Sequence, residues 1–292
     1  LPLMLSGILQ LMFNAVDIIV VGRFSGSQAL AAVGSTSALI NVFTNLFIGI
    51  SLGANVLTAR FYAAGREKEV SETVHTAITL ALVSGIIMAL VGLVFSKGAL
   101  ALMGTPDDVI GLSALYMRIY FLGMPFFMLY NYGAAILRAV GDTKRPLLFL
   151  MIAGVINACL NMVLVIVFKL GVAGVAIATV ISQMISCVLV LRCLCRSESS
   201  YRLRFSELGM KGYYLKQIFS VGVPAGIQST VINFSNVLLQ SSVNSFGSTA
   251  MAGYTAANNL LGFLYVSVNS ITQACMSFTS QNYGVGKLKR MD

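Results

Sequence analysis

The stretch from Thr76 to Phe95 reads TAITLALVSGIIMALVGLVF, twenty residues in a row without a charged side chain. As a helix rising 1.5 Å per residue it is about 30 Å long, which matches the hydrocarbon core of a bilayer. Backbone groups in lipid find no water, so they need partners within the same segment. Because the run is unbroken rather than alternating in polarity, it predicts a transmembrane helix.

Apolar runs of this kind recur along the whole chain. Hydrophobic residues make up 57% of the 292 residues and charged residues only 10%, whereas a soluble domain carries about 25% charged residues. The runs predict eight spans, at residues 1–22, 28–60, 72–101, 112–138, 146–169, 171–193, 220–245 and 250–281. The predicted fold class is therefore all-α, a polytopic membrane helix bundle in a lipid bilayer.

The basic residues gather at alternate joints between the predicted spans. Fifteen of the 19 lie on one side, namely Arg60, Arg66, Lys68, Arg138, Lys144, Arg145, Arg192, Arg196, Arg202, Arg204, Lys211, Lys216, Lys287, Lys289 and Arg290. Cytoplasmic joints carry an excess of Lys and Arg, so the N-terminus is predicted to be cytoplasmic. The formal charge of +9 thus reflects orientation in a membrane, and no nucleic-acid partner is predicted.

The two ends of the chain lie close to predicted spans. Leu1 is already inside an apolar stretch that runs to Val21, which is too long and too polar in its middle for a cleavable signal peptide. The chain also ends at Asp292, just after a predicted span. We therefore expect that both ends are truncated.

The sequence contains no pattern typical of an enzyme, a cofactor or a metal site. Its five cysteines form no CxxC pair and have no nearby His ligand. The run Gly284-Val-Gly-Lys287 lacks the earlier glycine and the Ser or Thr of a phosphate-binding loop. His75, at the start of the third span, is predicted to be an interface residue. We therefore predict a protein that is not an enzyme, with no catalytic residue, cofactor or bound metal.

An internal repeat divides the chain. The pattern Pro2-(x)11-Asn14 recurs as Pro224-(x)11-Asn236, and GSQALA from Gly26 recurs as GSTAMA from Gly247. Six spans separate the copies, an even number, so both enter the membrane in the same direction and form a parallel repeat. Two pseudo-symmetric lobes follow, the second incomplete: a first six-helix lobe at 1–195, a cytoplasmic linker with an interfacial amphipathic segment at 196–219, and the start of the second lobe at 220–292.

Asp17 differs from the other nine acidic residues because it lies well inside a predicted span. An unpaired carboxylate at the bilayer centre costs about 2.5–3.5 kcal/mol on insertion scales. A group held there can take up and release a proton or a cation as its surroundings open and close, which is what a coupled transporter needs. The alternative is an ordinary helix-end carboxylate near the outer interface, since Asp17 is only six residues from Arg23.

Other polar side chains form stripes at helical spacing on several predicted spans. Ser6, Gln10 and Asn14 share one face with Asp17, and Asn157 and Asn161 share another. The candidate cavity-lining residues are Gln10, Asn14, Ser182, Gln183, Asn233, Asn236 and Gln240. The alternative role for such residues is hydrogen bonding between helices, worth about 0.6 kcal/mol on average in membranes.

Four segments together resemble a known family, the MATE (multidrug and toxin extrusion) exporters. NAVDIIVVGR from Asn14 to Arg23 is similar to their first span, and RAVGDTKRP from Arg138 to Pro146 to the loop after their fourth. GVAGVAIAT from Gly171 is similar to their sixth span, and VPAG from Val223 to the start of their seventh. The likeness covers essentially the whole chain.

The resemblance implies twelve spans in two six-helix lobes that export amphipathic or cationic drugs in exchange for H⁺ or Na⁺. Bacterial members place a cation-responsive Asp in the first span, which matches Asp17. Their fifth span carries Asn-x-x-x-Asp/Asn, which matches Asn157 and Asn161, and a Thr of their sixth span matches Thr179. Asn161 is an amide rather than an acid, which removes one charge. The implied setting is the plasma (inner) membrane of a bacterium, as a monomer.

Three functions remain open from the sequence. The first is a secondary drug antiporter of the kind that the resemblance implies. The second is a lipid-linked oligosaccharide flippase of related two-lobe architecture, which predicts a basic cavity, although the spans hold almost no Arg or Lys apart from Arg118. The third is a channel or a receptor-like bundle; the parallel repeat disfavours a receptor, and gradient-driven accumulation in an uptake assay would distinguish a pump from a channel.

Overall fold

The computed structural model describes residues 2–102, 105, 107–244 and 248–291, without the side chains at 14, 27, 35, 37, 38, 42, 107, 108, 236–238, 240–244, 248–260 and 263. In this part of the chain all regular structure is helical, as the fold class predicts. The long helices are α1 (Pro2–Phe24), α2 (Gly26–Ala63), α3 (Glu67–Leu102), α4 (Asp107–Leu122), α5 (Met124–Ala139), α6 (Lys144–Asn161), α7 (Gly171–Arg196), α8 (Gly212–Asn244) and α9 (Ser248–Gly284).

Five of the described helices are long and apolar enough to cross a bilayer. They are α1, α2 from Gln28 onward, α3, α6 with its continuation to Val167, and α7. The pair α4 and α5 makes a sixth if it is one bent span. Helices α8 and α9 match the last two predicted spans in position but carry many hydroxyl and amide side chains, such as Asn233 and Ser270.

The predicted fourth span, 112–138, is two helices rather than one. Helices α4 and α5 meet at Gly123 with a bend of 48°. Pro125 stands in the first turn of α5, where its missing N–H and its ring prevent α4 from continuing straight. With α4 and α5 counted as one bent span, α1–α7 make up six spans, as predicted for the first lobe.

The sixth helix changes its winding halfway along. Residues Lys144–Asn161 are α-helical, whereas Met162–Val167 form a π-helix, and Lys169 next to it has a positive φ of 52°. The predicted fifth span therefore ends at Val167 in a wider turn. Short π-helical turns are frequent at functional sites, and this one begins directly after Asn161.

Helix α8 begins eight residues before the predicted seventh span. The sequence predicts an amphipathic segment on the membrane surface up to residue 219, but Gly212 already starts the long helix. Tyr214 and Ile218, one turn apart, are 8% and 0% exposed, and the Tyr214 ring meets Phe61 edge-on at 6.0 Å between centroids. These contacts pack the first two turns of α8 against the rest of the protein.

Helix α2 lies at the centre of the structure and contacts α1, α3, α4, α5, α8 and α9. Its closest neighbour is α8, through a set of residues that we call the glycine seam: Gly49 and Gly53 on α2, and Gly222 and Gly226 on α8. A Cβ atom on Gly226 would lie 2.6 Å from the Leu46 carbonyl oxygen. Only glycine lets the two backbones approach this closely, as at small-residue interfaces in membrane proteins generally.

Helices α3 and α5 pack in a similar way at Gly85. A Cβ atom there would lie 2.5 Å from the Pro125 Cα atom. We expect Gly85→Ala to destabilise the protein by about 1–3 kcal/mol, the usual cost of overpacking, and so to lower the thermal unfolding midpoint in detergent. Gly98→Ala on the same helix is the control, because no atom lies within 4 Å of its Cβ position. Equal midpoints for the two variants would contradict the close packing at Gly85.

Candidate functional site

Three helices bring Asp17, Asn157, Asn161 and Thr179 together, and we call these four residues the Asp17 cluster. Asn161 Nδ2 donates a hydrogen bond to Asp17 Oδ1 and lies 3.1 Å from Asn157 Oδ1. Thr179 Oγ1 is 3.4 Å from Asp17 Oδ2, and Asn157 Nδ2 donates to Thr179 Oγ1 at 3.4 Å. The carboxylate of α1 is thereby linked to side chains of α6 and α7.

The local structure explains how each side chain reaches this point. Asn157 and Asn161 are one turn apart on α6, so both amides lie on the same face. Asp17 lies about two thirds of the way along α1, and Thr179 is in the third turn of α7. Asp17 is 8% exposed, Asn157 5% and Asn161 0%, so the cluster is held inside the first seven helices.

The position of Asp17 rules out the helix-end alternative. The carboxylate is buried and hydrogen-bonded to two other helices, whereas Arg23 on the last turn of α1 is exposed. Among the described residues no Lys, Arg or His lies within 4.0 Å of the Asp17 carboxylate. Asp17 is therefore a buried acid whose partners among the described residues are neutral groups.

The oxygen atoms of the cluster suit a hard cation or a proton. In the described part of the chain, Asn161 Oδ1 is buried and has no hydrogen-bond partner, which is uncommon for a buried polar atom. Carboxylate, amide and hydroxyl oxygens are ligands that hard cations prefer. The described residues hold no group of three or more His, Cys, Asp or Glu side chains arranged for a metal, so the cluster's ligands would be one acid and neutral oxygens.

Two tyrosines that the sequence analysis did not single out lie on the helix next to α7. Tyr116 and Tyr120 stack with ring centroids 6.0 Å apart, and their helix, α4, contacts α7, which carries Thr179. The two tyrosines are four residues apart, which places both rings on the same face of α4. This spacing was the signal in the sequence that could have identified them.

The predicted cavity-lining residues lie at different places. Ser182 is buried, and its hydroxyl donates to the Thr179 carbonyl at 2.8 Å. Gln183 Oε1 is buried next to Gly123. Gln183 lies one turn after Thr179 on α7, so the two side chains share a face of this helix. Gln10 is exposed, and Asn233 Nδ2 donates to the Ser229 carbonyl of its own helix at 2.8 Å.

The remaining three predicted cavity residues are Asn14, Asn236 and Gln240, whose side chains lie outside the described part of the structure. The structure thus joins the four predicted coupling residues into one cluster and sets Gln183 near it. It does not join Gln183 to Asn233, so a cavity shared by both lobes stays a prediction.

Polar contacts also connect α9 to the first seven helices near the end of α9. Ser277 Oγ donates to Asn55 Oδ1 at 3.1 Å, and Gln281 Nε2 donates to the Ala139 carbonyl at 2.7 Å. A cavity of about 210 Å³ lies beside these contacts, with Arg138 among its lining residues. Like the glycine seam, these contacts lie toward the C-terminal ends of α2 and α9 and the N-terminal end of α8, next to the predicted basic joints.

Comparison with known proteins gives consistent results. Residues 2–163 and 224–292 match the family model described as MatE. The chain is 35% identical over 299 residues to a protein of Bacillus subtilis (strain 168) named "Probable multidrug resistance protein YoeA", covering 99% of this chain and 64% of that protein. It is 24% identical over 292 residues to a protein of Shewanella oneidensis named "FAD transporter", covering 98% of this chain and 64% of that protein.

The fold is also that of a solved transporter. The structure titled "Crystal structure of MATE in the bent conformation" superposes with a TM-score of 0.92 at 23% identity, covering 100% of this chain and 66% of that one. The present chain thus spans slightly less than two thirds of the length of these relatives. At this identity the likeness establishes the two-lobe helical architecture.

Proposed function

This chain belongs to the MatE family of bacterial membrane transporters, and from that premise we propose that the complete protein is a secondary active antiporter. It exports amphipathic or cationic small molecules, such as drugs or toxic metabolites, in exchange for H⁺ or Na⁺. Its relatives include a probable multidrug resistance protein and an FAD transporter. The observation that carries the proposal is the Asp17 cluster.

The cluster supplies the energy coupling in this proposal. Asp17 is buried and has no cationic partner in the described part of the chain, so its negative charge is costly there unless a proton or a cation joins it. A proton binds directly to a carboxylate oxygen. A sodium ion would instead take the Asp17 carboxylate, Asn161 Oδ1 and the Thr179 hydroxyl as ligands. Either ion changes the hydrogen bonds that link α1 to α6 and α7, and so changes how these helices pack.

Alternating access follows from the way in which the lobes meet. The glycine seam and the Asn55–Ser277 hydrogen bond connect α8 and α9 to the first seven helices along the halves that carry the basic joints. The positive-inside rule makes that side cytoplasmic. In the proposed cycle these contacts seal the cytoplasmic side, and they must part for substrate to enter from the cytoplasm. We propose a monomer in the plasma (inner) membrane with a cytoplasmic N-terminus.

The test is transport by the complete protein in liposomes. A proton gradient and a sodium gradient are applied in separate experiments. In one of the two, a fluorescent cationic dye should move against its own concentration gradient. This movement should stop when an ionophore removes the driving ion gradient. Dye movement that only follows its own gradient would indicate a channel and contradict the proposal. Movement of a lipid-linked oligosaccharide without any drug transport would favour the flippase instead.

A further inference from the structure

The linker between α7 and α8 is fastened to α3 at its centre and at its end. We call residues 197–211 the strap. Leu203 is 2% exposed, and the Tyr201 ring meets Tyr62 edge-on at 6.1 Å between centroids. The Arg204 backbone N–H donates to His75 Nε2 at 3.0 Å, and the Lys211 backbone N–H donates to Thr76 Oγ1 at 3.3 Å. Two adjacent side chains of α3, His75 and Thr76, therefore accept hydrogen bonds from backbone N–H groups of the strap.

The hydrogen bonds of His75 require the neutral form of its ring. His75 Nδ1 lies 2.7 Å from the Ser71 carbonyl oxygen, which only accepts, so Nδ1 carries the proton. His75 Nε2 accepts from the Arg204 N–H, so this nitrogen has a free lone pair. A second proton on the ring would place two donors, Nε2–H and the Arg204 N–H, against each other.

An acceptor for that second proton stands next to the ring. Glu207 Oε2 lies 3.9 Å from His75 Nε2, and Glu207 Oε1 accepts from Arg204 Nη1 at 2.9 Å. This hydrogen bond from Arg204 lowers the pKa of Glu207, so the carboxylate is ionised wherever an imidazole titrates. His is the side chain whose charge changes between pH 5 and 8.

The surroundings leave room for the strap to move. A cavity of about 290 Å³ beside the ring is lined by Ser71, Glu72, His75, Glu207, Gly209 and Lys211. The charged and titratable groups around His75 are Glu72 on α3, Arg204, Glu207 and Lys211 on the strap, and Tyr214 on the first turn of α8, next to Glu72. Glu207 is the carboxylate that an Nε2–H can reach with the smallest shift.

We propose that the strap has two docked arrangements, selected by the charge of His75. In the neutral arrangement the Arg204 N–H bonds to His75 Nε2. In the protonated arrangement Nε2–H pairs with the Glu207 carboxylate, and the Arg204 N–H is released to water. The strap leads directly into α8, whose first turns pack on α2 through Tyr214 and Ile218, so cytoplasmic pH adjusts how firmly α8 is held against the first seven helices.

Backbone hydrogen exchange of the complete protein in lipid nanodiscs tests this inference without any transport assay. After correction for intrinsic exchange rates, protection of the Arg204 amide should fall about fivefold between pH 8 and pH 5.5, the value of one net hydrogen bond. The Lys211 amide is the internal reference, because its acceptor, Thr76 Oγ1, does not titrate. Equal protection of the Arg204 amide at both pH values, or an equal loss at Lys211, would overturn the proposal.

Two variants separate the ring charge from general loosening. His75→Gln keeps an acceptor near Arg204 but cannot become charged in this range, so the pH dependence of Arg204 protection should disappear. Glu207→Gln removes the partner that stabilises the protonated ring, so the loss of Arg204 protection at pH 5.5 should be smaller than in the wild type. A pH dependence that survives in His75→Gln would contradict the role of this ring, whatever the transport activity of the variant.

Discussion

Replacing Asp17 by Asn is expected to reduce gradient-driven export by the complete protein about 10- to 150-fold. The amide has the same shape as the carboxylate, and it can still accept a hydrogen bond from Asn161 and donate one to Thr179, so the helices should pack as before. What it loses is the charge that binds a proton or a cation. Hydrogen bonds to charged groups contribute about 1.5–3 kcal/mol, and this range gives the expected factor.

The measurement is dye efflux from liposomes under the gradient that drives the wild-type protein. Glu198→Gln, an exposed acid on the strap, is the matched control and should transport as the wild type does. The thermal midpoint of Asp17→Asn in detergent shows whether the variant folds. Unchanged efflux with an unchanged dependence on the gradient would remove Asp17 from the mechanism.

Adding one methyl group to the glycine seam is expected to separate α2 from α8 and so to open the cytoplasmic side of the protein. A Cβ atom on Gly49 would overlap the Gly226 backbone and lie 3.1 Å from the Ala225 carbonyl carbon. Backbone atoms cannot turn away as a flexible side chain can, so Gly49→Ala should separate α2 from α8. Overpacking costs about 1–3 kcal/mol. A cost of this size corresponds to a shift of about 5- to 150-fold in the equilibrium between the arrangement with α2 and α8 in contact and the one with them apart.

Distances between spin labels at Arg66 and Lys287 report this change, since both residues are exposed beyond the ends of α2 and α9. In a background without native cysteines, Gly49→Ala should shift the distribution of distances between the two spin labels toward longer values. Gly34→Ala on the same helix is the control, because its Cβ position has no atom within 4 Å. Identical distance distributions for the two variants would show that the seam does not hold the lobes closed.

Sequence reasoning was most successful where a property is local. Apolar runs located the helices to within a few residues, and the fold class and family followed from them and from short motifs such as the one around Asp17. The helical spacing of Asn157 and Asn161 placed their amides on one face. The same reasoning did not reveal the 48° bend between α4 and α5 within the fourth span. It also placed the start of the helix that became α8 later than Gly212, since Pro125 and the packing of Tyr214 decided those elements.

The chain by itself determined which segments are helical, which are apolar enough to span a membrane and which polar groups share a face, because these depend on residues close together in the sequence. Only the packed structure decided that Asn161 meets Asp17, 144 positions away, and that His75 receives a backbone N–H from the strap. Helical periodicity says which way a side chain points from its own axis. Which helix stands opposite depends on how closely backbones approach at residues such as Gly49 and Gly226.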